Sequence, residues 1–136
     1  MYRTQKGFTL IELIVVIVLL GILGVTALGR YQNMALAARD ATIQGIASEV
    51  TSGSSINYAA SITGLGTATD ISNTTGVVDC ATIVPAMLTG GVPTGYTVAG
   101  ANGNCTAAGV TFSSCTIDHP DAGTTAAAAT IICTGG

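Results

Sequence analysis

The sequence predicts an α+β chain: a long N-terminal helix, apolar enough along its first half to lie in a membrane, packed on a small C-terminal antiparallel sheet stapled by disulfides. Three observations predict it. Residues 8–28 are an apolar run with one charge, Glu12. Residues 29–58 continue with apolar side chains at helical spacing. From Val77 onward, short β-rich segments alternate with turn-forming residues, and all four cysteines lie in that half.

At 136 residues the chain has the length of one domain, yet only 8% of its residues are charged. Typical globular domains carry about 25%. Part of the chain must therefore sit in lipid, or its surface must be solvated by Thr, Ser, Asn and backbone. Arg3, Lys6, Arg30 and Arg39 all precede position 40, and residues 40–136 hold Asp40, Glu49, Asp70, Asp79, Asp118 and Asp121 with no Lys or Arg. Without cations to neutralise phosphates, the lone subunit is not expected to bind nucleic acid directly. One histidine (His119), no Trp and scattered acids leave little from which to assemble acid–base or nucleophilic chemistry, so neither an enzyme nor a cofactor is expected.

The first element is a short basic leader, residues 1–7. The apolar run 8–28 follows, about 31 Å long as a helix, which matches the hydrocarbon core of a bilayer. Arg3 and Lys6 place the N-terminus in the cytoplasm and the rest outside, with Arg30 pulling the other way. A conventional secretory signal cleaved after Ala27 is the alternative, but the run exceeds the usual 7–15 residues of an h-region. Glu12 near its start would cost about 2.5–3.5 kcal/mol on insertion scales. An intramembrane carboxylate with no partner in its own chain points to function.

Lys6-Gly7-Phe8-Thr9-Leu10-Ile11-Glu12, followed by a long apolar helix, resembles the N-terminal signal of type IV pilins. Leu20 to Ala27 and Ala38 to Gly45 are similar to the helix of the mannose-sensitive haemagglutinin group of type IVa major pilins. The resemblance covers residues 6 to about 50. It implies a pilin-like fold, cleavage between Gly7 and Phe8 by prepilin peptidase, and methylation of the new Phe8 terminus. It further implies that Glu12 of an incoming subunit faces the Phe8 amine of a neighbour, neutralising a buried charge and setting register. The partners so implied are other copies in a helical filament, the peptidase, the inner-membrane assembly machinery with its ATP-driven motor, and lipid before assembly. The locations implied are the bacterial inner membrane, single-pass and N-in, and then an extracellular pilus that supports adhesion, motility or related surface functions. A minor pilin or a type II secretion pseudopilin is the near alternative; a secreted binding domain or a signal-anchored enzyme is more remote. Where the family carries Pro in mid-helix this chain has Gly29, close to Gly21 and Gly24, so a segment around 21–29 is expected to unwind and stretch in the polymer.

Beyond residue 28, Leu36, Ile43, Ile46, Ala47 and Val50 form a stripe expected to pack under the sheet. Residues 59–93 read as a region joining helix to sheet, within which Asp79 can cap a short helix ahead of Pro85. Residues 94–136 read as a three-stranded meander with strands near Thr94–Ala99, Gly109–Ile117 and Ala126–Cys133. Cys80, Cys105, Cys115 and Cys133 show no C-x-x-C spacing, which disfavours a metal site and favours two disulfides in an exported domain. Of the three pairings, Cys80 with Cys105 and Cys115 with Cys133 is favoured, because the last two can face each other across adjacent strands joined by the 118–123 turn. Asp118-His119-Pro120-Asp121 reads as a turn, and Asn73 and Asn104 begin weak glycosylation sequons.

Overall fold

A computed structural model describes residues 7–71, 78–121 and 123–135. Arg3 and Lys6 of the leader and the Asn73 sequon lie outside the described residues. Five elements follow in order: α1 (Leu10–Thr63), α2 (Cys80–Met87), β1 (Thr97–Gly100), β2 (Thr111–Asp118) and β3 (Ala127–Ile132). This is the α+β architecture expected from the sequence. The chain divides into two units, residues 1–35 and 36–136.

The first unit is the N-terminal part of α1. Its large apolar side chains from Leu10 to Leu28 are each at least 45% exposed, and by length and composition the helix can cross a membrane. The α-helix is unbroken through Gly21, Gly24 and Gly29. Thr26 is accommodated by donating its hydroxyl to the Leu23 carbonyl at 3.0 Å.

The second unit holds the core. Ile43, Ile46, Ala47, Val50 and Ser54 of α1 are buried on one helical face, while Leu36 is only half-buried. Ile43, Ile46, Ala47 and Val50 pack in one cluster with Cys115 and Ile117 of β2, Ala129 and Ile131 of β3, and Ile83, Val84 and Met87 of α2. The helix continues beyond Tyr58 to Thr63 and stops at Gly64, whose φ of +66° and N–H to Ala60 carbonyl bond form a left-handed cap. Asp79 caps α2 by accepting from the Ala81 N–H at 3.1 Å and the Thr82 hydroxyl at 3.0 Å. That helix runs on through Pro85 to Met87. Burial of Ile83, Val84 and Met87 holds its last turn although Pro85 contributes no N–H.

The sheet is an antiparallel meander ordered β1-β2-β3, with a bulge between Phe112 and Cys115 of β2. At Gly100, φ is +125° and any Cβ would collide with the Ser114 carbonyl, so only glycine lets β1 approach β2 there. Strand β3 lies at an edge, where unpaired N–H groups invite association. Two hydroxyls from α1 occupy that edge: Thr51 accepts from the Thr130 N–H at 3.0 Å and Ser54 from the Ile132 N–H at 2.7 Å. Further along, the Thr134 N–H donates to the Ile71 carbonyl at 3.1 Å, and the Ile71 N–H donates to the Thr134 hydroxyl at 2.8 Å. The helix thus both covers the sheet and finishes its hydrogen bonding.

Ser54 is wholly buried, so Ser54→Ala orphans the Ile132 N–H and costs about 1–3 kcal/mol. Thermal unfolding of the full protein in detergent should shift to lower temperature; an unchanged midpoint would contradict the role assigned to the hydroxyl.

Candidate functional site

Gly7, Phe8 and Thr9 precede α1 in non-helical conformation, and Thr9 opens the helix. Its side chain and backbone form a reciprocal cap with Glu12. The Glu12 Oε2 accepts from the Thr9 N–H at 2.8 Å and from the Thr9 hydroxyl at 2.7 Å, while the Glu12 N–H donates to the Thr9 Oγ1 at 3.4 Å. This is the capping box Thr-x-x-Glu, in which otherwise orphaned N–H groups of the first turn find side-chain acceptors.

Glu12 therefore has a partner in its own chain, contrary to the sequence reading. The four-residue signal Thr9-Leu10-Ile11-Glu12 was enough to find it. Three consequences follow for chemistry. The carboxylate is held at the very start of the apolar segment, beside the Gly7–Phe8 bond. Gly7 has open space around it and Phe8 is 92% exposed, so the backbone between them is accessible. Oε2 carries both Thr9 bonds, and Oε1 has no bond among the described residues.

Residues 2–28 match the family model of the prokaryotic N-terminal methylation motif. The match takes in the leader, Gly7, Phe8, Glu12 and the apolar run, and supports a type IV pilin-like or pseudopilin-like precursor. No curated protein and no solved structure matches the chain. The motif is confined to the first unit; the remainder is known by its own geometry.

In the second unit the four cysteines form two disulfides, as expected, but not in the expected pairing. Cys80 bonds to Cys115 and Cys105 to Cys133, with Cα separations of 5.4 and 5.5 Å. The strand register explains the correction. On β3 the partner of Cys115 is Ala129, which leaves Cys133 about 13 Å further along the strand direction, too far to bridge. Cys133 instead donates its N–H to the Val110 carbonyl at 2.8 Å, next to the start of β2, where the preceding loop brings Cys105. Cys115 faces inward on the central strand and meets Cys80 at the first turn of α2.

The turn at Asp118-His119-Pro120-Asp121 is tied down by its polar groups. His119 Nδ1 accepts from the Asp121 N–H at 3.2 Å, and its ring meets Tyr96 edge-on at 5.1 Å between centroids. Asp121 pairs with Arg39 of α1, and Asp40 of α1 accepts from the Thr125 N–H at 2.8 Å. An ion pair this exposed contributes about 0–1 kcal/mol, so its effect is to fix where the turn docks. Sequence reasoning missed this docking, since nothing local links positions 39–40 to 121–125.

Peptide mapping without reduction should recover the Cys80–Cys115 and Cys105–Cys133 cross-links; the other pairings would refute the observed register. Reduction should expose the second unit to protease, at about 2–5 kcal/mol per native disulfide, while leaving the apolar helix intact.

Proposed function

We propose that this chain is the structural subunit, a major pilin, of a type IV pilus filament. The observation that carries the reading is the carboxylate of Glu12, fixed at the head of an exposed apolar helix immediately after a cleavable Gly7–Phe8 bond. Cleavage there retains the helix on the mature protein, which leaves its apolar surface to be covered by lipid and then by other copies. It also creates an α-amine at Phe8. Oε1 of Glu12, which has no bond among the described residues, is suited to receive that amine from a neighbour.

Assembly then follows from electrostatics in a medium of low dielectric. The inner membrane stores the processed subunit, single-pass and N-in. Pairing amine with carboxylate relieves the desolvation penalty of both and fixes axial register, while contact between apolar helices supplies cohesion. Prepilin peptidase performs the cut and methylation, and inner-membrane machinery extracts the subunit into an extracellular polymer that serves adhesion, motility or related surface functions. Gly21, Gly24 and Gly29 give the helix a stretch that can extend during this step, at about 1 kcal/mol each relative to Ala within a helix. The same N-terminus would also suit a minor pilin or a type II secretion pseudopilin; the abundance of this chain in purified surface fibres distinguishes them.

Two substitutions separate processing from assembly. Gly7→Leu should accumulate uncut precursor in the membrane. Glu12→Ala should be inserted and cut, yet yield at least tenfold fewer sheared fibres, the loss expected when about 1.4 kcal/mol or more of subunit pairing disappears. Wild-type fibre yield from Glu12→Ala would refute the role of the carboxylate.

A further inference from the structure

Charge is scarce in this protein, and among the described residues nearly all of it is already engaged within the chain. Glu12 accepts from Thr9, Asp40 from Thr125, Asp70 from the Thr134 hydroxyl, Asp79 from Ala81 and Thr82, and Asp118 from the His119 N–H, while Asp121 pairs with Arg39. Among the described residues, two ionised side chains have no polar partner: Arg30 and Glu49. They are opposite in sign, both are exposed, and both lie on α1.

The basic side chains available to a processed subunit sharpen the point. Arg3 and Lys6 lie in the leader, so a chain beginning at Phe8 keeps only Arg30 and Arg39, and Arg39 is taken by Asp121. In the membrane, Arg30 sits just beyond the apolar run, at the level where lipid phosphates can meet it. Withdrawal into a polymer removes those phosphates and brings α1 of one copy against others. A guanidinium so placed needs a carboxylate, and an identical neighbour offers one that has no competing bond. Two complementary groups at separate positions on one chain also suit the head-to-tail contact from which open helical polymers are built.

We propose that Arg30 of one subunit pairs with Glu49 of a neighbouring copy, an ion pair repeated along the filament. The inference rests on the polymer reading above and adds a second register contact, distinct from that of Glu12. Its contribution is to partner choice and alignment, since like charges brought together there would oppose assembly.

The test uses the full-length chain expressed in a host with its assembly machinery, with sheared fibres measured against mature subunit in the membrane. Arg30→Glu and Glu49→Arg should each lower fibre yield about tenfold or more, and the double reversal should restore it to within about twofold of wild type. Arg30→Glu leaves the N-in orientation favoured, because it removes a positive charge from the exported flank. The milder Arg30→Gln and Glu49→Gln extend the comparison if a reversal destabilises the subunit: each should lower the yield, and combining them should add no further loss. Normal assembly of the single reversals, failure of the double to recover, or additive losses in the neutral pair would overturn the ion pair while leaving the filament intact. Absence of fibres from the wild-type chain would overturn the polymer reading and this inference together.

Discussion

Among the described residues nothing covers the apolar surface of α1 between Leu10 and Leu28, and much else about the protein answers to that. Each Leu, Ile or Val kept in water instead of buried forgoes about 1.5–3 kcal/mol, a debt far beyond the marginal stability of a domain this size. On the function proposed above, lipid and then other copies of the chain meet that surface. Both solutions leave Glu12 in a medium of low dielectric, where a carboxylate survives only if its bonds are filled. Thr9 fills some of them, through a cap that also begins the helix. The remaining oxygen is the group to which the proposed function assigns the contact with a neighbouring copy.

The second unit solves a different problem. It has few charges and few aromatic side chains, so its cohesion comes from a small aliphatic cluster, two disulfides and hydroxyl groups placed where backbone would otherwise go unpaired. Thr51 and Ser54 close the β3 edge from the helix side, which removes N–H groups that would otherwise invite strand-to-strand pairing. The same economy of charge makes Arg30 and Glu49 conspicuous. Every other charged side chain among the described residues is engaged inside the chain, which leaves these two for the contact proposed between copies.

Much of this was legible in the sequence. The apolar run, the amphipathic stripe and the three β-rich segments each carry a period or a turn signal that local chemistry dictates, and α1 with the β1-β2-β3 meander followed from them. The Asp79 cap was legible for the same reason, whereas passage of α2 through Pro85 depended on tertiary burial of Val84 and Met87. The disulfide pairing was not legible: it depends on the register that puts Ala129 opposite Cys115, and register is settled by packing across the sheet. The docking of Asp121 on Arg39 and of Thr125 on Asp40 was hidden likewise, since it joins residues distant in the chain. At the candidate site the loss was of another kind. Thr9 and Glu12 stand three apart in plain view, and reading Glu12 only as a membrane charge obscured the capping box.

The central claim is that the apolar helix stays on the mature protein, whose chain begins at Phe8. Intact mass and N-terminal sequence of the protein isolated from cells, before and after reduction with thiol alkylation, test it most directly. The account predicts a chain starting at Phe8 with one added methyl group and four thiols that appear only on reduction. A chain starting at Leu28 would mean that the helix is discarded as a secretory signal, and would contradict the account.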